Sequence, residues 1–168
     1  MKNKFLKYCS NNKLQKNYEQ IKILNSLILF YKEINSFKAL FFRFFNTSEK
    51  KLGFYLQGDV GVGKTMLLNF FFENLNISKK RIHFNEFMID FHDFRHTNKL
   101  RYKENSIHAF VQVLKKKSEL IYLDEFQVTN IVDAMILGKL FETIFSENIK
   151  VLITSNTNAK NNIMILKL

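Results

Sequence analysis

Eight consecutive residues, Gly58-Asp59-Val60-Gly61-Val62-Gly63-Lys64-Thr65, constrain this chain more than any other feature. They fit the pattern G-x-x-x-x-G-K-[ST] without a mismatch. Glycines let a backbone turn so that successive N–H groups point inward and form a concave anion site. A helix starting at the end of such a loop adds its partial positive charge. A lysine at position 64 reaches the β- and γ-phosphates of a nucleoside triphosphate, and the Thr65 hydroxyl can ligate Mg²⁺. By average residue frequencies the pattern arises by chance in on the order of 0.5% of chains this long. Here three of only five glycines fall inside the loop, which lowers those odds further. The expected ligand is ATP or GTP with Mg²⁺, bound by Gly58, Asp59, Val60, Gly61, Val62, Gly63, Lys64, Thr65 and Met66.

Such a loop needs a strand before it and a helix after it. From Leu52 onward, short apolar strands alternate with helical patterns, the signature of a parallel α/β sheet. Strands are predicted at Leu52–Gln57, Arg81–Asn85, Leu120–Leu123 and Ile149–Thr154. Helices are predicted at Gly63–Leu75, Glu86–Leu100, Ile107–Lys117 and from Asn130 onward. In the last of these, Ile131, Ala134, Met135, Leu137, Leu140, Phe141 and Ile144 share one side. Asn130 followed by Asp133 resembles a capping arrangement at its start. Upstream, Leu24, Leu27, Ile28, Tyr31 and Ile34 recur at helical spacing within Asn17–Asn35, and the aromatic run Phe37–Phe45 reads as further helix. The organisation expected is an N-terminal helical region (1–50), a nucleotide-binding core (51–157) and a divergent tail (158–168).

Two strand ends add chemistry. Leu120–Leu123 runs into Asp124 and Glu125, the arrangement in which a first carboxylate holds the Mg²⁺ shell and a second polarises the attacking water as general base. Val151–Ile153 runs into Thr154-Ser155-Asn156, which sets Asn156 to orient that water. Between them, His92-Asp93-Phe94-Arg95-His96 approximates the zinc-protease spacing H-E-x-x-H. The shorter carboxylate and the lack of an evident third ligand argue against zinc; His83 and His108 suggest no distinct role.

Composition narrows the remaining classes. Hydrophobic residues make up 46% of 168, enough for one cored domain. The net charge of +11 would ordinarily point to nucleic acid or an anionic surface. The absence of proline and tryptophan beside abundant Lys, Asn, Ile and Phe reads instead as a coding bias, so no specific nucleic acid is expected. The basic runs Lys50-Lys51, Lys79-Lys80-Arg81 and Lys115-Lys116-Lys117 read as solvated connections. A single cysteine, Cys9, excludes an internal disulfide and suits a reducing compartment. No apolar run has the length of a membrane span. A mitochondrial presequence is disfavoured, because the lysine-rich N-terminus lacks arginine.

The stretches Gly53–Leu68, Arg81-Ile-His-Phe-Asn-Glu-Phe-Met88 with His92 and His96, Leu123-Asp-Glu-Phe-Gln-Val-Thr129, Asp133-Ala-Met-Ile-Leu-Gly138 and Thr154-Ser-Asn156 together resemble the ZapE cell-division ATPases and their mitochondrial AFG-one-like relatives. The resemblance runs from about residue 50 to 157. It implies an AAA+-type P-loop fold, ATP hydrolysis with Mg²⁺, and self-association. It also implies work at the bacterial division ring, where FtsZ is the partner to expect, or protein quality control in mitochondria. A cytoplasmic location with peripheral contact at the inner membrane follows. By position, Lys64 and Thr65 take phosphate and metal, Asp124 and Glu125 the Walker B roles, and Asn156 the sensor role; the histidine pair also follows the family pattern.

One departure lies within the core, where Asn105-Ser106 stands in place of the family's Asp-Pro before the helix leading to the acidic strand. The more serious ones are at the C-terminal end. Family members continue past the sensor with an arginine-containing segment, a fifth strand and a helical lid. Here the arginines are Arg43, Arg81, Arg95 and Arg101, none of them after Asn156. An arginine finger is worth about 10³ to 10⁵ in rate, so slow hydrolysis is expected. The alternatives are a non-catalytic nucleotide-binding remnant and a basic, helicase-loader type of nucleic-acid-binding ATPase. Without a last strand, Gly53–Gln57 would form an open apolar sheet edge, which the tail segment Ile163–Leu166 could cover.

Overall fold

A computed structural model describes residues 1–14, 17–35, 52–58, 61–98, 105–156 and 164–167. The aromatic run Phe37–Phe45 lies outside these. In chain order the elements are α1 (Lys2–Asn11), α2 (Tyr18–Asn35), β1 (Gly53–Gly58), α3 (Lys64–Glu73), β2 (Lys79–His83), α4 (Phe84–Thr97), α5 (Ser106–Lys117), β3 (Leu120–Asp124), α6 (Ile131–Ser146), β4 (Lys150–Asn156) and β5 (Met164–Lys167). The sheet order is β2-β3-β4-β1-β5. The first four strands are parallel, with registers such as His83↔Asp124, Leu123↔Ile153 and Gly58↔Asn156.

Strand periodicity divides the core. Side chains alternate across a strand, so Phe54, Leu56, Leu120, Tyr122 and Leu152 face one layer while Ile121, Leu123, Val151 and Ile153 face the other. The first layer is closed by α1, α2 and α3 through Phe5, Cys9, Leu24, Leu27, Phe30, Leu67 and Phe71. The second is closed by α4, α5 and α6 through Phe87, Phe91, Phe110, Leu114, Leu137, Leu140 and Ile144. Sandwiched between the layers, β3 is buried at every residue. This explains why it reads in sequence as a continuous apolar run rather than an alternation.

Several expectations shift. The second strand begins two residues earlier than predicted, because Lys79 and Lys80 are strand residues, and His83 ends it. Nor is Lys79-Lys80-Arg81 a solvated connection. The Lys79 amine donates to the carbonyls of Phe72 (2.5 Å) and Leu75 (2.5 Å), satisfying orphan acceptors at the C-terminal end of α3. Lys80 pairs with Asp90 at 3.2 Å, and Arg81 turns toward β3. In α6, Leu137, Leu140 and Ile144 are buried, but Ile131 and Met135 are 78% and 79% exposed. Helical spacing places these residues on related faces, yet only the later turns of α6 overlie the sheet. Asn130 does cap α6, accepting from the Val132 N–H at 2.8 Å. Asp133 serves elsewhere, receiving His92 Nε2 at 2.9 Å and so tying α6 to α4.

At the other edge, β5 runs antiparallel to β1, with Phe54↔Lys167, Tyr55↔Leu166, Leu56↔Ile165 and Gln57↔Met164. The tail therefore covers the apolar edge of β1, though in the opposite direction to the other strands. Deleting residues 164–168 is expected to cost about 1 to 3 kcal/mol of stability, from the lost ladder bonds less the entropy of ordering four residues. It should also produce concentration-dependent self-association through the bared β1. Urea denaturation and light scattering on the shortened chain would check both; unchanged values would mean that β5 contributes nothing to the edge.

Candidate functional site

Three parallel strands deliver their carboxyl ends to one rim of the sheet. The register Gly58↔Asn156 sets the first residue of the glycine loop beside the last residue of β4. One strand further, β3 ends at Asp124, followed by Glu125. The loop then enters α3 with Gly61 at φ +86° and Gly63 at φ +82°. Both lie in the left-handed region, where a Cβ is costly. Gly63 is the N-cap of α3, which has no side-chain cap and no acidic residue in its first turn. The orphan N–H groups of Lys64, Thr65 and Met66 are therefore not claimed by a capping side chain, a donor array that fits an anion. Lys64 is buried, and its amine donates to the Gly58 carbonyl at 2.8 Å, closing the loop on itself. Thr65 is exposed at the mouth. Asp59 and Val60 lie outside the described residues.

Asp124 is the most heavily engaged side chain of the rim. Its Oδ1 accepts from the Thr154 hydroxyl, from the Tyr122 hydroxyl at 3.3 Å and from the Glu125 N–H at 3.1 Å. Its Oδ2 receives the Arg81 guanidinium, which also lies over the Tyr122 ring, 5.3 Å from its centroid. Burial pushes the carboxyl pKa up, but the Thr154 hydroxyl, the Arg81 guanidinium and the Glu125 N–H together outweigh it and hold it below the usual carboxylate range. Burial raises the Tyr122 phenol well above its ordinary value, so it stays a neutral donor. An ionised carboxylate near a threonine-bearing loop is the donor chemistry that Mg²⁺ takes up, directly or through water.

Glu125 behaves differently. It sits at φ +55°, an uncommon conformation for a residue with a side chain and of a kind that clusters at functional sites. Its side chain is 66% exposed, with His83 Nδ1 at 3.6 Å. The Phe126 N–H donates to the Thr154 carbonyl at 2.7 Å, fastening the turn after Glu125 to β4. Glu125 and Asn156 line a common cleft of about 260 Å³ with Asn85, Phe126, Gln127 and Thr129. The described residues thus bring Gly58, Lys64, Thr65, Asp124, Glu125 and Asn156 to one rim.

Sequence reasoning gave no site role to Arg81, His83, Tyr122 or Thr154, although Thr154 lay in the polar end of its strand and Arg81 and His83 in a family stretch. A further signal was two-residue spacing: Arg81 and His83 point the same way on β2, as do Tyr122 and Asp124 on β3. Seeing their convergence requires the register between the two strands. His92, whose zinc-like spacing is not expected to bind zinc, is the partner of Asp133.

Arg81→Ala leaves the buried Asp124 carboxylate without its charged partner. Because Arg81 is partly exposed, the expected cost is about 1 to 2 kcal/mol, below that of breaking a fully buried pair. The folded pKa of Asp124 is depressed, so its stabilising contribution is complete above the unfolded carboxylate value near pH 4. It is lost as pH falls through the lower folded value. The difference between variant and wild type should therefore be present at pH 7 and shrink in acid below about pH 4. Urea midpoints measured across that range would refute this if the difference were independent of pH.

Sequence and structure comparisons place the chain in a family. A sequence profile described as AFG1-like ATPase matches residues 7–163. Lactation elevated protein 1 homolog B of Danio rerio is 40% identical over 116 residues, covering 62% of this chain and 23% of that protein. Cell division protein ZapE of Escherichia coli K12 is 34% identical over 105 residues, covering 62% of this chain and 28% of that protein. The chain thus spans about a quarter of the length of the curated relatives it matches. In fold it is similar to the crystal structure of the DnaC helicase loader, with a TM-score of 0.52 at 16% identity over 88% of this chain and 75% of that one. That likeness concerns the fold alone, a parallel sheet flanked by helices. With the profile match spanning nearly its whole length, this chain belongs to the AFG1-like ATPase family.

Proposed function

We propose that the chain binds MgATP at residues 58–66 and hydrolyses it slowly. The observation that carries this reading is the convergence, on one rim, of a left-handed glycine loop, a buried lysine and two consecutive carboxylates with opposite environments. Lys64 and the first N–H groups of α3 bind the β- and γ-phosphates. Thr65 and Asp124 hold Mg²⁺, which when bound neutralises charge on the β- and γ-phosphate oxygens. With its side chain exposed and outside the Asp124 network, Glu125 polarises the attacking water as general base, and Asn156 orients that water across the cleft they share. The opposite settings of the two carboxylates suit the division of labour: Asp124 is kept ionised and fixed, whereas Glu125 faces solvent where water must enter.

Slow turnover follows from the state of the rim arginine: Arg81 is engaged with Asp124, and an arginine that is not free to stabilise the transition state leaves roughly 4 to 7 kcal/mol of barrier unrelieved. The cellular role we propose is that of a ZapE-like cell-division or AFG-one-like quality-control ATPase that self-associates, with FtsZ as the division partner and a peripheral position at the inner membrane. The name of the Escherichia coli relative, cell division protein ZapE, supports the division role alone. Among the described residues no helix is long and apolar enough to cross a membrane.

MgATP binding and steady-state phosphate release on the purified chain would test the chemistry. Lys64→Ala is expected to weaken binding by at least about tenfold, the scale of one charge-assisted phosphate contact. Glu125→Gln should keep binding but lower turnover by about 10² or more. Wild-type affinity in Lys64→Ala would sink the phosphate assignment. Wild-type turnover in Glu125→Gln would remove Glu125 as the base. Binding with no turnover in any form would favour a nucleotide-binding remnant instead.

A further inference from the structure

The first turn of α2 reaches the glycine loop. Gln20 Nε2 donates to the Val62 carbonyl at 3.2 Å, across a separation of 42 residues. A Cβ built on Gly63 would stand 2.6 Å from that same nitrogen and 3.7 Å from Gln20 Cδ. The Gln20 amide therefore occupies the space that a side chain at position 63 would need. A side chain at position 63 would displace this flexible amide at little cost, so glycine is favoured there by its φ of +82° and the contact depends on glycine being present. The glutamine is itself set by the start of its helix, where the Asn17 side chain accepts from the Glu19 N–H at 2.9 Å. Gln20 is half-buried, and its helix is anchored one turn later by Ile23, Leu24 and Leu27 in the core beneath the loop.

The contact falls on a consequential peptide. The Val62 carbonyl and the Gly63 N–H belong to one planar trans unit, so they point in opposite directions. Fixing the oxygen toward α2 turns the N–H away from α2. Without an outside contact that peptide has freedom to rotate, because the glycine it leads into populates both signs of φ almost equally. Phosphate affinity in such loops depends on N–H groups being aimed before the ligand arrives.

We propose that Gln20 is a positioning residue for nucleotide binding: it pins the Val62–Gly63 peptide with the Gly63 N–H turned to the phosphates, coupling the N-terminal helix α2 to the loop. The proposal rests on the MgATP reading above. It assigns to the N-terminal helical region a part in the nucleotide site. Gln20 touches no reacting atom; it acts through the loop backbone.

The test compares wild type, Gln20→Ala and Gln20→Glu by titration with MgADP and MgATP, by nucleotide dissociation rate, and by the urea midpoint of the ligand-free chains. Gln20→Ala removes the donor and is expected to weaken both nucleotides by about three- to tenfold, the scale of one net hydrogen bond. The loss should appear as faster dissociation. Gln20→Glu keeps the shape but sets an acceptor against the Val62 carbonyl and a negative charge beside the phosphates, so it should weaken binding more than Gln20→Ala. Ligand-free urea midpoints close to wild type, together with those losses, would support positioning. Wild-type affinity in both variants would overturn the proposal. A fall in affinity matched by an equal fall in the ligand-free midpoint would also overturn it, since Gln20 would then merely hold α2 in place. If wild type itself binds neither nucleotide, the MgATP reading fails first, an outcome distinct from the other two.

Discussion

The carboxylate of Asp124 is the point at which the sheet becomes a site. Thr154 reaches it from β4, Arg81 from β2, and Tyr122 and the Glu125 N–H from β3 itself. A buried carboxylate is costly unless its lone pairs are met by donors. Here the donors come from three adjacent strands, so satisfying one charge also fixes the relative heights at which those strands end. The turn that follows is held by the Phe126–Thr154 backbone bond. Glu125 is thereby left in a left-handed conformation with its side chain outward. The contrast between a fixed carboxylate and an accessible one comes from one network.

That network needs the parallel registers to be correct, and these rest on the two hydrophobic layers. A slip of one residue in β3 would exchange Tyr122 and Leu120 for Ile121 and Leu123 across the sheet. It would also carry Asp124 away from Thr154 and Arg81. Polar specificity at the rim and apolar packing behind it therefore favour the same register. The two layers differ in what they support. The one beneath α1, α2 and α3 steadies the glycine loop, whereas the other steadies the cleft around Glu125 and Asn156.

Much of this was legible in the sequence wherever the determinant is local. The glycine loop is a contiguous pattern, and β3 announces itself as an apolar run ending in two acids. The exposure of an apolar β1 edge led to the tail as its cover, and β5 lies there, in antiparallel register. Determinants that depend on placement between elements were not legible. Lys79-Lys80-Arg81 looks like a charged connection because charge in a short segment says nothing of strand pairing. In the structure each of the three has a separate partner. Ile131 and Met135 fit a helical stripe, but periodicity does not encode how much of a helix overlaps the sheet. The intended capping role of Asp133 gave way to His92 for a similar reason, since its competitor lies 41 residues away.

The same distinction explains why the glycine loop is only partly described by its own motif. The pattern specifies which residues permit the loop's backbone path, not what prevents that backbone from taking other paths. Glycines at φ +86° and +82° are permissive, and permissive residues carry the largest entropy cost on ordering. Restraint must come from contacts that the glycines do not supply. Lys64 supplies part of it from within, by bonding back to Gly58. Gln20 supplies a contact from α2 at the peptide joining Val62 to Gly63. An N-terminal helix that is remote in sequence is thus a physical part of the loop's environment, and a boundary drawn at residue 50 would separate the loop from one of its restraints.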